Sequence, residues 1–262
     1  AVSTNMIIPR RRACSGGRGV RRPHLGRRGL LCLLGVLVLA CPMRTGAQAP
    51  VAPRRIVSFV PAATEMLFAI GAGARIVGVS SYDRFPPEVR DIPRVGGLLD
   101  PNVEQVLALR PDLVVVYGTQ TELRQQLRRA GLDVFAYTHR DLSDVTATMR
   151  ALGTRVGAEA AAGAAAEDLN RRLDAVRARV AGRMRPRTLL VFGRERGSLR
   201  QIRASGGYGF LHDLLELAGG DDVWRDVRRE SVEMSTEMVL ARAPDVIIEL
   251  HYGRSLAARQ LE

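Results

Sequence analysis

The sequence predicts an α/β protein of two lobes, each with a parallel sheet, joined by one long bridging helix. Three observations carry this. Short apolar strands alternate with amphipathic helices through the first half of the chain. A long alanine-rich stretch without proline follows them. Beyond it a fresh strand–helix pattern begins, and part of it repeats a segment of the first half.

Residues 1–47 read as an export signal. Arg10 to Arg28 is basic, and the run Leu30 to Ala40 is apolar. That run has about 11 residues, where a helix spanning a bilayer needs roughly 20. Two processing readings stand open. Val38-Leu39-Ala40-Cys41 resembles a lipobox, which makes Cys41 a lipidation site and anchors the chain to a membrane. Thr45-Gly46-Ala47 instead offers small residues for ordinary cleavage. Arg27-Arg28 ahead of the apolar run also fits a twin-arginine pattern.

Residues 48–55, with Pro50 and Pro53, form a tether, and 56–157 an N-terminal lobe. Ile56 to Val60 is a strand stopped by Pro61, and Thr64 to Ile70 a helix closed by Gly71. Ile76 to Val79 is a strand and Val103 to Leu109 a helix. Pro111 then precedes the apolar strand Leu113 to Val116. Thr121 to Ala130 is a helix ending at Gly131, and Val134 to Ala136 a strand. Residues 158–184 are the bridging helix, with Leu169, Leu173, Val176, Val180 and Met184 on one face. Residues 185–262 make a partial C-terminal lobe, expected to be truncated: the strand Thr188 to Phe192, helices Phe210 to Leu217 and Ser235 to Ala241, and the strand Val246 to Leu250.

The repeat is specific. Glu104-Gln-Val-Leu-Ala-Leu-Arg-Pro111-Asp112 matches Glu237-Met-Val-Leu-Ala-Arg-Ala-Pro244-Asp245, and each leads into an apolar strand. A glutamate near a helix start can simply favour the positive end of the helix dipole. A matched pair in two lobes points to a shared task.

Composition narrows the function. The chain has 39 basic residues, 27 acidic ones and a net charge of +12. Nine arginines and no acid fall in residues 1–48, so the body is close to neutral and no nucleic-acid partner is expected. All three cysteines lie in the leader, which excludes a thiol nucleophile or cysteine-held zinc in the body. No Gly-x-Ser-x-Gly elbow occurs, and Gly71-Ala-Gly73 precedes a strand where a dinucleotide loop would follow one. His139, His212 and His251 are scattered, against a zinc or manganese receptor. No enzyme, no cofactor and no resident metal are expected.

Arg55-Ile-Val-Ser-Phe-Val-Pro-Ala-Ala-Thr-Glu65, Val77-Gly-Val-Ser-Ser-Tyr82, Phe85-Pro-Pro87, the Glu104 and Glu237 segments, and Ser205-Gly206 leading to Ala218-Gly-Gly220 together resemble a known family. It is that of the periplasmic solute-binding proteins for vitamin B12, haem and ferric siderophores, and the vitamin B12-binding type is the most similar. The resemblance covers residues 54 to about 250. It implies a monomer that clamps cobalamin, or alternatively haem or a ferric siderophore, between its lobes and docks on an ABC permease dimer. It places one docking glutamate per lobe, at Glu104 and Glu237. It places ligand contacts at Tyr82, Leu98, Tyr117 and Ser231, the last three standing where the B12 binder has tryptophans. Tyr82 is alternatively a phenolate ligand for haem iron. Arg194, with Arg196, Arg200 and Arg203, would neutralise acidic groups of a ligand.

Overall fold

The computed structural model describes residues 52–138, 140–195 and 197–251. Residues 1–51, Cys41 among them, and His139, Arg196 and residues 252–262 lie outside the described residues. Four parallel strands, β1 (Ile56–Ser58), β2 (Ile76–Val79), β3 (Leu113–Tyr117) and β4 (Asp133–Tyr137), form one sheet in the order β2-β1-β3-β4. Side chains alternate between its two faces, as the strand period requires. Ile56, Leu113 and Val115 face a core shared with helices α1 (Pro61–Ala69), α4 (Leu142–Val156) and α5 (Glu159–Val180). Val57, Val114 and Val116 face the other way, toward α2 (Val103–Ala108) and α3 (Thr121–Arg129). Covering both faces explains why these strands read as unbroken apolar runs.

Helix α1 starts three residues earlier than the sequence pattern suggests, because Pro61 occupies its first turn, where no N–H is needed. Among the described residues, helix α4 is the one α-helix of the first half without a counterpart in the expected pattern. Its interior mixes threonine, arginine and glycine and gives a weak periodic signal. Its ends are clear nonetheless: Asp141 accepts from Asp144 N–H at 3.1 Å, and Gly157 closes the helix at φ 65°. Helices α4 and α5 pack closely, and a Cβ at Gly153 would stand 2.3 Å from that of Ala162.

The bridging helix is present as α5, although it stops at Val180, short of the expected 184, where Ala181 turns extended and Gly182 takes φ 72°. Its first turns bury Ala162 and Ala166 in the core of the first sheet, and Val180 at its far end packs on Gly219 of the second half.

The second sheet contains β5 (Arg187–Gly193), β6 (Ile202–Ser205), β7 (Asp221–Asp222), β8 (Ser231–Met234) and β9 (Val246–Glu249). Strands β7 and β9 run parallel to β5, while β6 pairs antiparallel with both β5 and β8, so this sheet is mixed. Helices α6 (Phe210–Leu217) and α7 (Thr236–Arg242) flank it. Leu189, Val191, Ile202, Ala204, Val223, Trp224 and Met234 make its core.

The sequence repeat is also a structural repeat. Arg110 and Ala243 both end their helices at φ 45°, one residue before Pro111 and Pro244. The next residue pairs with the first strand of its sheet in the same way on both sides. Asp112 N–H donates to Arg55 O at 2.8 Å, and Asp245 N–H to Arg187 O at 2.8 Å. The carboxylates return the contact: Asp112 Oδ2 accepts from Arg54 and Arg55 N–H at 2.7 and 3.0 Å, and Asp245 Oδ2 from Arg187 N–H at 2.9 Å.

Candidate functional site

Ligands of open α/β sheets collect outside the carboxyl ends of the strands. The side chains at that edge of the first sheet form one connected group. Tyr82 stands three residues beyond β2 on a loop fastened from below by Arg94, which donates to Ser80 O at 2.9 Å, Asp83 O at 3.1 Å and Val89 O at 3.0 Å. The Tyr82 ring lies directly over Gly97, where a Cβ would come within 2.5 Å of it. Only glycine leaves room for the ring. Leu98 follows, and its carbonyl accepts from Gln120 Nε2 at 2.9 Å. Gln120 Oε1 in turn accepts from Tyr117 N–H at 3.0 Å. Tyr82, Leu98 and Tyr117, expected to act together, are thus brought together.

The rim they form is apolar and open to solvent. Tyr82 is 62% exposed, and Phe85 and Leu99, near Tyr82 and Leu98 in sequence, are 60% and 90% exposed. Phe85 and Leu99 were not among the expected contacts. Phe85 was legible as part of the Phe-Pro-Pro motif, whereas Leu99 carried no signal of its own. Next to Tyr117 opens a pocket of about 540 Å³, lined by Tyr117, Gly118, Thr119, Tyr137, Thr138, Arg140 and Asp144. Tyr117 and Tyr137 meet edge to face with ring centroids 6.2 Å apart. Burial, and then the Asp83 charge, push the Tyr117 phenol up; burial, followed by the neighbouring Tyr117 and Asp144, pushes Tyr137 up to about 12. Both phenols are therefore neutral hydrogen-bonding groups at any physiological pH.

The second sheet supplies the remaining candidates. Ser231 is exposed at the start of β8, opposite Ser205 in register. Arg194 follows β5, and its Nε pairs with Glu249 Oε1 at 2.7 Å while Nη1 donates to Ser198 O at 3.1 Å. An anionic ligand would have to compete with Glu249 for it. Arg203 lies with its guanidinium 6.0 Å from the Phe192 ring, and Arg200 is exposed. The two halves meet close to the pocket: Asp213 of α6 accepts from Leu142 N–H at 2.9 Å, at the head of the helix that carries Asp144.

Glu104 and Glu237 occupy equivalent places, each in the first turn of a short exposed helix. Asn102 caps α2 by accepting from Gln105 N–H at 2.9 Å, and Ser235 caps α7 by accepting from Met238 N–H at 3.4 Å. The Ser235 hydroxyl also holds the Glu237 carboxyl below its ordinary range. Among the described residues no group of three or more histidine, aspartate or glutamate side chains could hold a metal ion, and no helix is long and apolar enough to cross a membrane.

A family model described as periplasmic binding protein matches residues 56–254. The chain is 35% identical over 196 residues to the vitamin B12-binding protein of Salmonella typhimurium, covering 74% of this chain and 71% of that one. Among solved structures it is similar to the periplasmic vitamin B12 binding protein of Vibrio cholerae, with 26% identity, TM-score 0.66 and coverage of 76% and 77% of the two chains. It is equally similar to a periplasmic haem binding protein from Pseudomonas aeruginosa, with 26% identity, TM-score 0.68 and coverage of 79% and 75%.

Proposed function

We propose a function from one premise: the chain belongs to the periplasmic binding protein family. It is a binding protein and not an enzyme. In this reading it is the extracytoplasmic subunit of an ABC importer, capturing a cobalamin-type ligand and handing it to a permease dimer. The observation that carries the reading is the clustering of Tyr82, Leu98 and Tyr117 at the carboxyl edge of the first sheet, with a docking candidate close by in sequence. Glu104 follows Leu98 by six residues, and Glu237 follows Ser231 by six. Each lobe thus carries a ligand candidate and a docking candidate on one short stretch of chain. A broad, flat chelate fits an apolar rim of this kind, and the 35% identity to a vitamin B12-binding relative favours cobalamin. The protein acts as a monomer, held near the membrane by Cys41 if the lipobox is used.

Haem is the second reading, favoured by the solvent-facing position of Tyr82, whose phenol is open to an incoming iron. Titration of the purified protein with cobalamin, haemin and a ferric siderophore, followed by visible absorbance, separates the two. Cobalamin is expected to bind, and Tyr82→Ala to weaken it about tenfold, as the loss of one stacked aromatic would. A haemin band that disappears in Tyr82→Ala would instead establish the haem reading.

Docking is tested separately. The double replacement Glu104→Ala, Glu237→Ala is expected to abolish uptake into proteoliposomes carrying the permease while ligand affinity stays within about twofold, because rim charges act on encounter and orientation. Equal loss of uptake and affinity would refute the docking role.

A further inference from the structure

The two docking helices are held by a matched pair of arginine forks. Arg55, just ahead of β1, donates from Nη2 to Leu109 O at 2.7 Å and from Nε to both Leu109 O and Arg110 O, at 3.0 and 3.1 Å. Arg187, the first residue of β5, donates from Nη2 to Arg242 O at 2.5 Å and from Nε to Ala243 O at 3.4 Å. Leu109 and Arg242 are corresponding positions, as are Arg110 and Ala243. The same two atoms of the same side chain therefore bind the same two carbonyls in each half. Those carbonyls belong to the end of α2 and of α7, groups that a helix leaves without internal partners. The φ of 45° at Arg110 and Ala243, strained for residues with a Cβ, accompanies this geometry in both halves.

We infer that Arg55 and Arg187 are positioning residues for docking, each fixing the direction in which its helix presents Glu104 or Glu237. The inference rests on the importer reading above. Helices α2 and α7 have six and seven residues, too short to be stable by themselves, so their orientation comes from what fastens them. Helix α2 buries only Val106, and α7 buries no residue. Apolar packing is therefore a weak constraint, and the fork at the far end of the helix is a strong one. The planar guanidinium reaches two carbonyls from one rigid plane, which a lysine ammonium on a flexible stem does not reproduce. Helix α7 has a second fastening, since Arg242 stacks 4.1 Å from the Trp224 ring and donates to Val223 O at 3.1 Å and Asp226 Oδ1 at 2.8 Å, so α2 depends on its fork more than α7 does.

The test is a double-mutant cycle on the full chain, read as binding to its ABC permease dimer in nanodiscs, with ligand affinity and melting temperature measured in parallel. Arg55→Lys is expected to weaken docking about tenfold in the parent and to cause no further loss in a Glu104→Ala background, since its effect passes through Glu104. Arg187→Lys should behave likewise toward Glu237, with the smaller loss. A merely structural arginine would lower docking by the same factor whether or not the glutamate is present, and that additive result overturns the inference. So does undiminished docking in both lysine variants. If Glu104→Ala and Glu237→Ala dock as the parent does, or if the parent does not dock at all, the importer reading itself fails.

Discussion

Asp83 is the least comfortable side chain of the candidate site. The residue is 1% exposed, and neither carboxylate oxygen has a hydrogen-bond partner of good geometry. Burial raises its pKa above the ordinary carboxylate value, and the Thr64 hydroxyl, the Ser80 backbone and the Arg94 guanidinium offset this only in part. The consequence for stability has a definite sign. An acid whose folded pKa exceeds its unfolded one keeps its proton longer in the native state. Its protonated form favours folding at low pH, and that advantage is lost as pH climbs through the window above 3.8. Asp83→Asn is therefore expected to raise stability at pH 7 by ~1 kcal/mol and to leave it unchanged at pH 3, as read from urea midpoints. A uniform change at both values would assign the effect to packing and not to charge. Nothing in the sequence marked Asp83 out from the surface aspartates, because its cost arises from the loop that Arg94 folds over it. Tyr82 and Tyr117, by contrast, were legible, since an aromatic just beyond an apolar strand has few places to go but the sheet's carboxyl edge.

Among the elements, α4 and α5 show how a contact limits sequence. Gly153 faces Ala162 with no space for even a methyl group, so Gly153→Ala is expected to cost about 1–3 kcal/mol through overpacking, although alanine is the better helix former. A stabilised variant in equilibrium urea unfolding would show that the pair can slide apart. Strands β1 to β5 and β9 and helices α1, α2, α3, α6 and α7 were readable because their ends carry proline, glycine or capping residues and their cores are simple. Helix α4 escaped because its buried residues, Leu142, Thr148, Met149, Leu152, Gly153 and Val156, include a threonine and a glycine that blur the apolar stripe. The antiparallel β6–β8 pair escaped for a different reason. Its polar Arg203, Ser205, Ser231 and Glu233 alternate with Ile202, Ala204, Val232 and Met234, a pattern that is clear only once the pairing register is known.

At the scale of the whole molecule, the link between the two sheets is built from few contacts outside α5. Asp213 of α6 caps the amide of Leu142, and the backbone of Arg140 lies against Gly209, where a Cβ would stand 3.3 Å from its carbonyl oxygen. Of these residues Arg140 lines the pocket beside Tyr117, and Leu142 lies two residues before the lining Asp144. Asp213→Ala is therefore expected to lower stability by about 1 kcal/mol and to weaken ligand binding with it, because the amide it serves heads the helix that holds Asp144. Unchanged affinity in a destabilised variant would separate the pocket from this link. The bipartite plan, the helix that joins the halves and the repeated glutamates were legible in the sequence, since each is a matter of order along the chain. Which half-site meets which was not, because Asp213 and Leu142 are 71 residues apart and neither belongs to a motif.

The chain has a single tryptophan, and the fold has put it to an unplanned use. Trp224 lies 4% exposed in the second core with the guanidinium of Arg242 stacked 4.1 Å from its ring. Arg242 is the last residue of α7, so the one strong natural fluorophore of the body is coupled to the helix that bears Glu237 and is remote in sequence from Tyr82 and Tyr117. Its emission is an optical gauge of that helix. Any event that shifts α7 is readable without a label, while a colourless solute settling over Tyr82 would pass with little signal.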